Sequence, residues 1–143
     1  MHALARSILP IYTFPRPGAD GEVRPLRFAG TGFLLSPGLF ITCAHCVPAL
    51  PDGEVYGAGV PDTDGGRTAY YLADIQADPS GADLATARIG LQGPSAYRLY
   101  ADMSAQQCDV GTLGFPGTWF KTSSSGQRTF DQQERNFQGY ITR

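Results

Sequence analysis

The chain has 143 residues, 42% of them hydrophobic and 17% charged, a balance that supports a folded region with a real core. Its formal net charge is −2 and its cations are dispersed, so nothing in it signals nucleic-acid binding. No apolar run approaches the ~20 residues of a membrane span, and no membrane partner is expected. The glycines and prolines are scattered among short apolar runs, and no window holds a 3.6-residue apolar period. The sequence therefore reads as all-β, with many turns and little helix. The stretch Met1 to Pro10 is interrupted by Arg6 and Pro10 and lacks the apolar core of a secretory signal, which points to a cytoplasmic protein.

In chain order, Ser7 to Phe14 reads as a first strand, closed by Pro15-Arg16-Pro17-Gly18. Glu22 to Phe28 alternates loosely and reads as a second, edge-like strand because of Pro25. Gly32 to Ser36 and Leu39 to Thr42 form a hairpin across Ser36-Pro37-Gly38. His45 follows where that hairpin ends, and Val47 to Pro51 has room for one short helical turn. Glu54 to Val60, Arg67 to Ile75 and Asp83 to Ile89 are the next strands. The turns between them are Asp62-Thr63-Asp64-Gly65-Gly66 and Asp78-Pro79-Ser80-Gly81. About six strands by Ile89 suit one small antiparallel barrel. Gly90 to Asp102 reads as a connector. Further extended segments follow at Cys108 to Gly117, Trp119 to Thr122, Arg128 to Phe130 and Asn136 to Thr142, with a polar loop at Ser123-Ser124-Ser125-Gly126.

A histidine at the end of a rigid hairpin is held on one side and open on the other, as a general base must be. The segment Gly30-Thr31-Gly32-Phe33-Leu34-Leu35, then Leu39-Phe40-Ile41-Thr42-Cys43-Ala44-His45-Cys46-Val47, resembles the stretch around the catalytic histidine of trypsin-like (chymotrypsin-fold) serine proteases. Gly81-Ala82-Asp83-Leu84-Ala85-Thr86-Ala87-Arg88-Ile89 resembles the strand of that family that opens on the orienting aspartate. An Asp at a strand start can reach free backbone N–H groups and stay ionised. Asp74, inside a strand, and Asp78, before a proline, read as structural. Asp109 to Gly117 resembles the strand that opens the second barrel of the family, and Asn136 to Thr142 the strand after it.

The resemblance implies a chymotrypsin-like antiparallel β-barrel over residues 1–105, carrying catalytic His45 and Asp83, and the initial strands of a second barrel over 106–143. It implies a serine endopeptidase acting on a protein or peptide through an acyl-enzyme, without cofactor or metal. The family's nucleophile segment, G-[DN]-S-G-G-P, does not occur in residues 1–143. Ser123, Ser124 and Ser125 lack its second glycine and read as a hairpin tip, and Cys108 is no better placed. The chain is thus expected to be inert alone and to need a complementing segment or chain that carries the serine and covers the open strand edges.

Extracellular relatives bridge the cysteine after the catalytic histidine to one before the first hairpin. Gly30 and Thr31 stand in that region here, so Cys43, Cys46 and Cys108 are expected as reduced thiols. Cys43-Ala44-His45-Cys46 lacks the βαβ context of a redox motif. A zinc site wants four ligands, and the sequence offers only Cys108 and His2 as extra donors. The alternative to an enzyme is a degenerate protease fold kept as a binding or scaffold module in an intracellular assembly. The joint presence of His45 and Asp83 favours the enzyme, and the residue at the serine position decides between them.

Overall fold

Six strands hydrogen-bond in the order β1-β2-β3-β6-β5-β4 and close into an antiparallel barrel in a computed structural model of the chain. The structure describes residues 6–16, 24–91, 109–115, 119–122, 128–131 and 135–140. The barrel strands are β1 (Ile8–Pro15), β2 (Arg27–Ser36), β3 (Leu39–Thr42), β4 (Glu54–Pro61), β5 (Arg67–Ala77) and β6 (Ala85–Ile89). Because β4 returns to lie beside β1, the first four strands make a Greek key. The pairing of β6 with both β3 and β5 then closes the sheet and removes its edges. The all-β barrel expected from the sequence is therefore present, and no helix among the described residues is long and apolar enough to cross a membrane.

The two-residue strand period sorts side chains between the barrel interior and its outside. Leu9 and Ile11 of β1, Leu34 of β2, Phe40 of β3 and Leu72 of β5 fill the interior. So do Tyr56, Ala58 and Val60 of β4 and Ala87 and Ile89 of β6, each set alternating along its strand. On the outer face of β4, Gly57 leaves room for an aromatic ring of β1: a Cβ there would lie 2.7 Å from the ring of Phe14. The rings of Tyr12 and Phe14 stack edge-to-face with Phe28 and Tyr71 at centroid distances of 5.9 to 6.2 Å. This outer cluster buries β1 on both faces, each such pair adding about 0.5–1.5 kcal/mol beyond area burial.

Several boundaries differ from the sequence reading. Of the strand expected over Glu22 to Phe28, residues 22 and 23 lie outside the described residues, 24–26 are irregular, and Arg27 and Phe28 belong to β2, which runs unbroken from Arg27 to Ser36. Pairing with β1 holds Gly30 and Gly32 extended, and Gly32 also pairs with Thr42 of β3. The helical turn lies at Ala44–Cys46, not at Val47 to Pro51. Pro48 and Pro51 have no N–H to donate, so the turn closes before them. The strand β5 continues two residues past Ile75 across a bulge between Ala73 and Gln76. The strand β6 begins at Ala85, which leaves Asp83 and Leu84 in the preceding loop.

The chain divides into two units, Met1–Ala96 and Tyr97–Arg143. The second contains two ribbons. The strand β7 (Asp109–Gly114) pairs with β10 (Arg135–Tyr140), and β8 (Trp119–Thr122) with β9 (Arg128–Asp131). His2, Cys108 and Ser123 to Ser125 lie outside the described residues.

Candidate functional site

The site grows from the end of β3. Thr42, its last residue, is buried, and its hydroxyl donates to the Thr31 carbonyl at 2.9 Å, fastening β3 to β2. Cys43 is still extended, after which the Cys46 N–H bonds to the Cys43 carbonyl at 3.0 Å and the Val47 N–H to the Ala44 carbonyl at 3.2 Å. These two bonds make a single 3₁₀ turn with His45 at its centre. Beyond it, the Tyr56 hydroxyl donates to the Pro48 carbonyl at 2.5 Å, and Tyr56 is itself packed into the core. The turn is therefore braced on both sides by buried side chains.

The pairing of β3 with β6 brings in the second residue. Thr42 lies opposite Ala85, so the residues just past one and just before the other are neighbours. His45 and Asp83, 38 positions apart, make two hydrogen bonds. The His45 backbone N–H donates to Asp83 Oδ1 at 2.9 Å, and His45 Nδ1 lies 2.5 Å from Asp83 Oδ2. The second bond places the ring proton on Nδ1 and turns the lone pair of Nε2 outward. The His45 N–H, the His45 ring and charge, and the Ala44 N–H hold the Asp83 carboxyl below the usual carboxylate range. The loop carrying Asp83 is pinned by the Asp78 N–H to the Leu84 carbonyl at 2.8 Å and by a turn at Gly81, whose φ is 84°.

Asp74 and Asp78 are excluded on geometry. Asp74 sits in the β5 bulge at a φ of 50°, facing Arg88 at 3.6 Å. Asp78 accepts from the Ser80 N–H at 3.1 Å and the Ser80 hydroxyl at 2.7 Å, capping its own turn.

The depressed pKa of Asp83 has a definite pH signature. A carboxyl depressed on folding stabilises the fold above its unfolded pKa, and the contribution is lost as pH falls through the folded value. The His45 amide proton resonance is expected to titrate with a midpoint below about 4, the ordinary carboxylate value, and Asp83→Asn removes that titration. A midpoint at or above the ordinary value contradicts the assignment. Asp78 is also depressed, by the Ser80 bonds, so the readout is taken at His45.

Two thiols border the histidine, and the sequence alone did not place them there. Cys43 is exposed, Cys46 is half-buried, and neither is bridged. Cys46 Sγ lies 3.7 Å from His45 Nε2. Desolvation, the Asp83 carboxylate and the hydrogen-bonded Cys46 thiol together push the Cys43 thiol up. Cys43, His45 and Asp83 each offer a donor atom, all within 4.8 Å of one another. An open groove of about 380 Å³ beside them is lined by His45, Cys46, Phe28, Ala29, Pro48 and Tyr56.

Gly30 packs directly under Cys46: a Cβ there would lie 2.6 Å from Cys46 Sγ and 3.0 Å from its Cβ. That Cβ separation is about half an ångström short of ordinary disulfide spacing, a gap small backbone shifts close. Gly30→Cys is therefore expected to bridge to Cys46 under mild oxidation, with loss of two hydrogens in the intact mass and a gain of up to about 3 kcal/mol in stability. A variant that keeps three free thiols plus the new one after oxidation contradicts this packing.

No protein-family model matches the chain, and no curated protein matches its sequence.

Proposed function

We propose that the chain is the histidine- and aspartate-bearing part of a trypsin-like serine endopeptidase with a chymotrypsin-like first barrel. The observation that carries this reading is the double hydrogen bond between His45 and Asp83, which orients an accessible imidazole with Nε2 outward. His45 Nε2 takes the proton from a serine hydroxyl as that oxygen attacks the scissile carbonyl. Asp83 holds the productive tautomer and stabilises the imidazolium, which then protonates the leaving amine, and water hydrolyses the acyl-enzyme. The serine and the oxyanion donors are supplied by residues other than these 143, on the same or a second polypeptide. The unbridged thiols at Cys43 and Cys46 suit a reducing compartment, and we place the protein in the cytoplasm.

The test is fluorophosphonate labelling of the natively purified protein that contains this chain, followed by intact-mass and peptide analysis. The expected adduct is on one serine outside residues 1–143, and His45→Ala abolishes it. Absence of any adduct in a folded sample overturns the protease reading and leaves a binding module.

A further inference from the structure

We propose that Cys43 Sγ, Cys46 Sγ and His45 Nε2 form a binding site for one Zn(II) ion, with Asp83 as the carboxylate that orients the imidazole. A zinc bound to one sulfur at about 2.3 Å and one nitrogen at about 2.0 Å in tetrahedral array holds those two atoms about 3.5 Å apart. Cys46 Sγ and His45 Nε2 are 3.7 Å apart. Cys43 supplies the third donor: its sulfur lies within 4.8 Å of a His45 ring nitrogen and an Asp83 carboxylate oxygen. Solvent fills the fourth position, since Asp83 is committed to Nδ1 and to the His45 N–H.

The arrangement around Nδ1 is what a metal-bound histidine needs. A carboxylate on the second ring nitrogen fixes the tautomer and raises the basicity of the ligating one. The sequence hides this site because a C-x-x-C pair with no second pair looks incomplete. The fold completes it by presenting the intervening His45, and by bringing Asp83 in from 38 positions away. Cys43 and the Asp83 carboxylate cluster with His45, Cys46 borders the same ring, and a divalent cation offsets the charge that develops when the thiols release their protons to solvent on ligation.

Zinc on Nε2 occupies the lone pair that the proposed mechanism uses as its base. Metal binding and proteolysis are therefore mutually exclusive at His45. That consequence rests on the protease reading, whereas the binding itself does not.

The experiment titrates the full chain with Co(II) and then displaces it with Zn(II). The expected result is one ion per chain, with thiolate-to-cobalt charge-transfer absorption in the near ultraviolet. Cys43→Ser and Cys46→Ser are each expected to weaken zinc by more than the roughly tenfold to hundredfold that losing an outer-sphere partner of a ligand costs, and the double variant to abolish the charge-transfer band. Saturating zinc on the unmodified chain is expected to slow alkylation of Cys43 and Cys46 but not of Cys108, a readout that needs no variant to fold. Cobalt binding without thiolate absorption, or equal alkylation with and without zinc, overturns the site. In the serine-bearing protein, activity that persists with zinc bound to both thiols overturns the mutual exclusion. Zinc binding in a protein with no activity and no fluorophosphonate adduct overturns the protease reading while the site stands.

Discussion

Asp83→Asn is expected, on the protease reading proposed above, to lower kcat about 10⁴-fold, with KM nearly unchanged. The loss corresponds to about 5.5 kcal/mol of transition-state stabilisation. The substitution keeps the shape of the side chain, and its carbonyl can still accept from the His45 N–H, the bond now made at 2.9 Å by Oδ1. The remaining amide nitrogen then faces His45 Nδ1 and donates to it. That drives the ring proton to Nε2, so the nitrogen facing the serine can no longer accept a proton. The measurement is steady-state kinetics with a fluorogenic peptide, beside circular dichroism to show the barrel intact. A loss of less than tenfold means that Asp83 does not orient the base.

Gly32→Val is expected to unfold or severely loosen the barrel. A Cβ at position 32 would lie 2.4 Å from two ring atoms of Phe40 and 2.7 Å from the Ile41 carbonyl oxygen. Phe40 is fully buried, and the carbonyl belongs to a strand paired on both sides, so neither can yield easily. Overpacking a core usually costs about 1–3 kcal/mol, and this position belongs at the top of that range or above it. For the milder Gly32→Ala, a cost of about 3 kcal/mol lowers Tm by well over 10 °C in a unit of this size. The entropic gain from removing a glycine, about 0.4–1 kcal/mol, is too small to reverse the sign. Phe40→Leu in the same chain should recover part of the loss, and a double-mutant cycle gives the coupling. A Gly32→Val protein with unchanged Tm refutes the packing.

The hairpin, the strand starting near Asp83 and the all-β class were legible because each rests on local signals. Pro37-Gly38 marks a tight turn, with Gly38 at a φ of 76°, and Ala85, Ala87 and Ile89 alternate with Thr86 and Arg88 directly in the sequence. What failed to show is non-local. The sequence reading starts the strand at Gly32, yet Gly30 also lies within β2, paired with β1, and the two glycines admit Cys46 and Phe40. Asp74 reads as an ordinary strand residue, although the bulge puts it at positive φ. Of the candidate site, His45 and Asp83 were readable from their surrounding letters. Their hydrogen bonds, and the approach of Cys43 and Cys46 to the ring, depend on where the 3₁₀ turn closes, which two prolines decide.

The strand order has a kinetic meaning as well. His45 and Asp83 come together only when β6 docks on β3, and β6 is the last barrel strand in the chain. Every earlier hairpin can form without bringing them near each other. All-β barrels dominated by distant pairings fold on the order of milliseconds to seconds, because loop closure precedes the contacts that reward it. The imidazole–carboxylate contact is thus a built-in reporter of final closure, silent in any partly assembled barrel. A nascent chain released before Asp83 holds the histidine without its partner, and one released before β6 is complete holds both without the strand pairing that joins them.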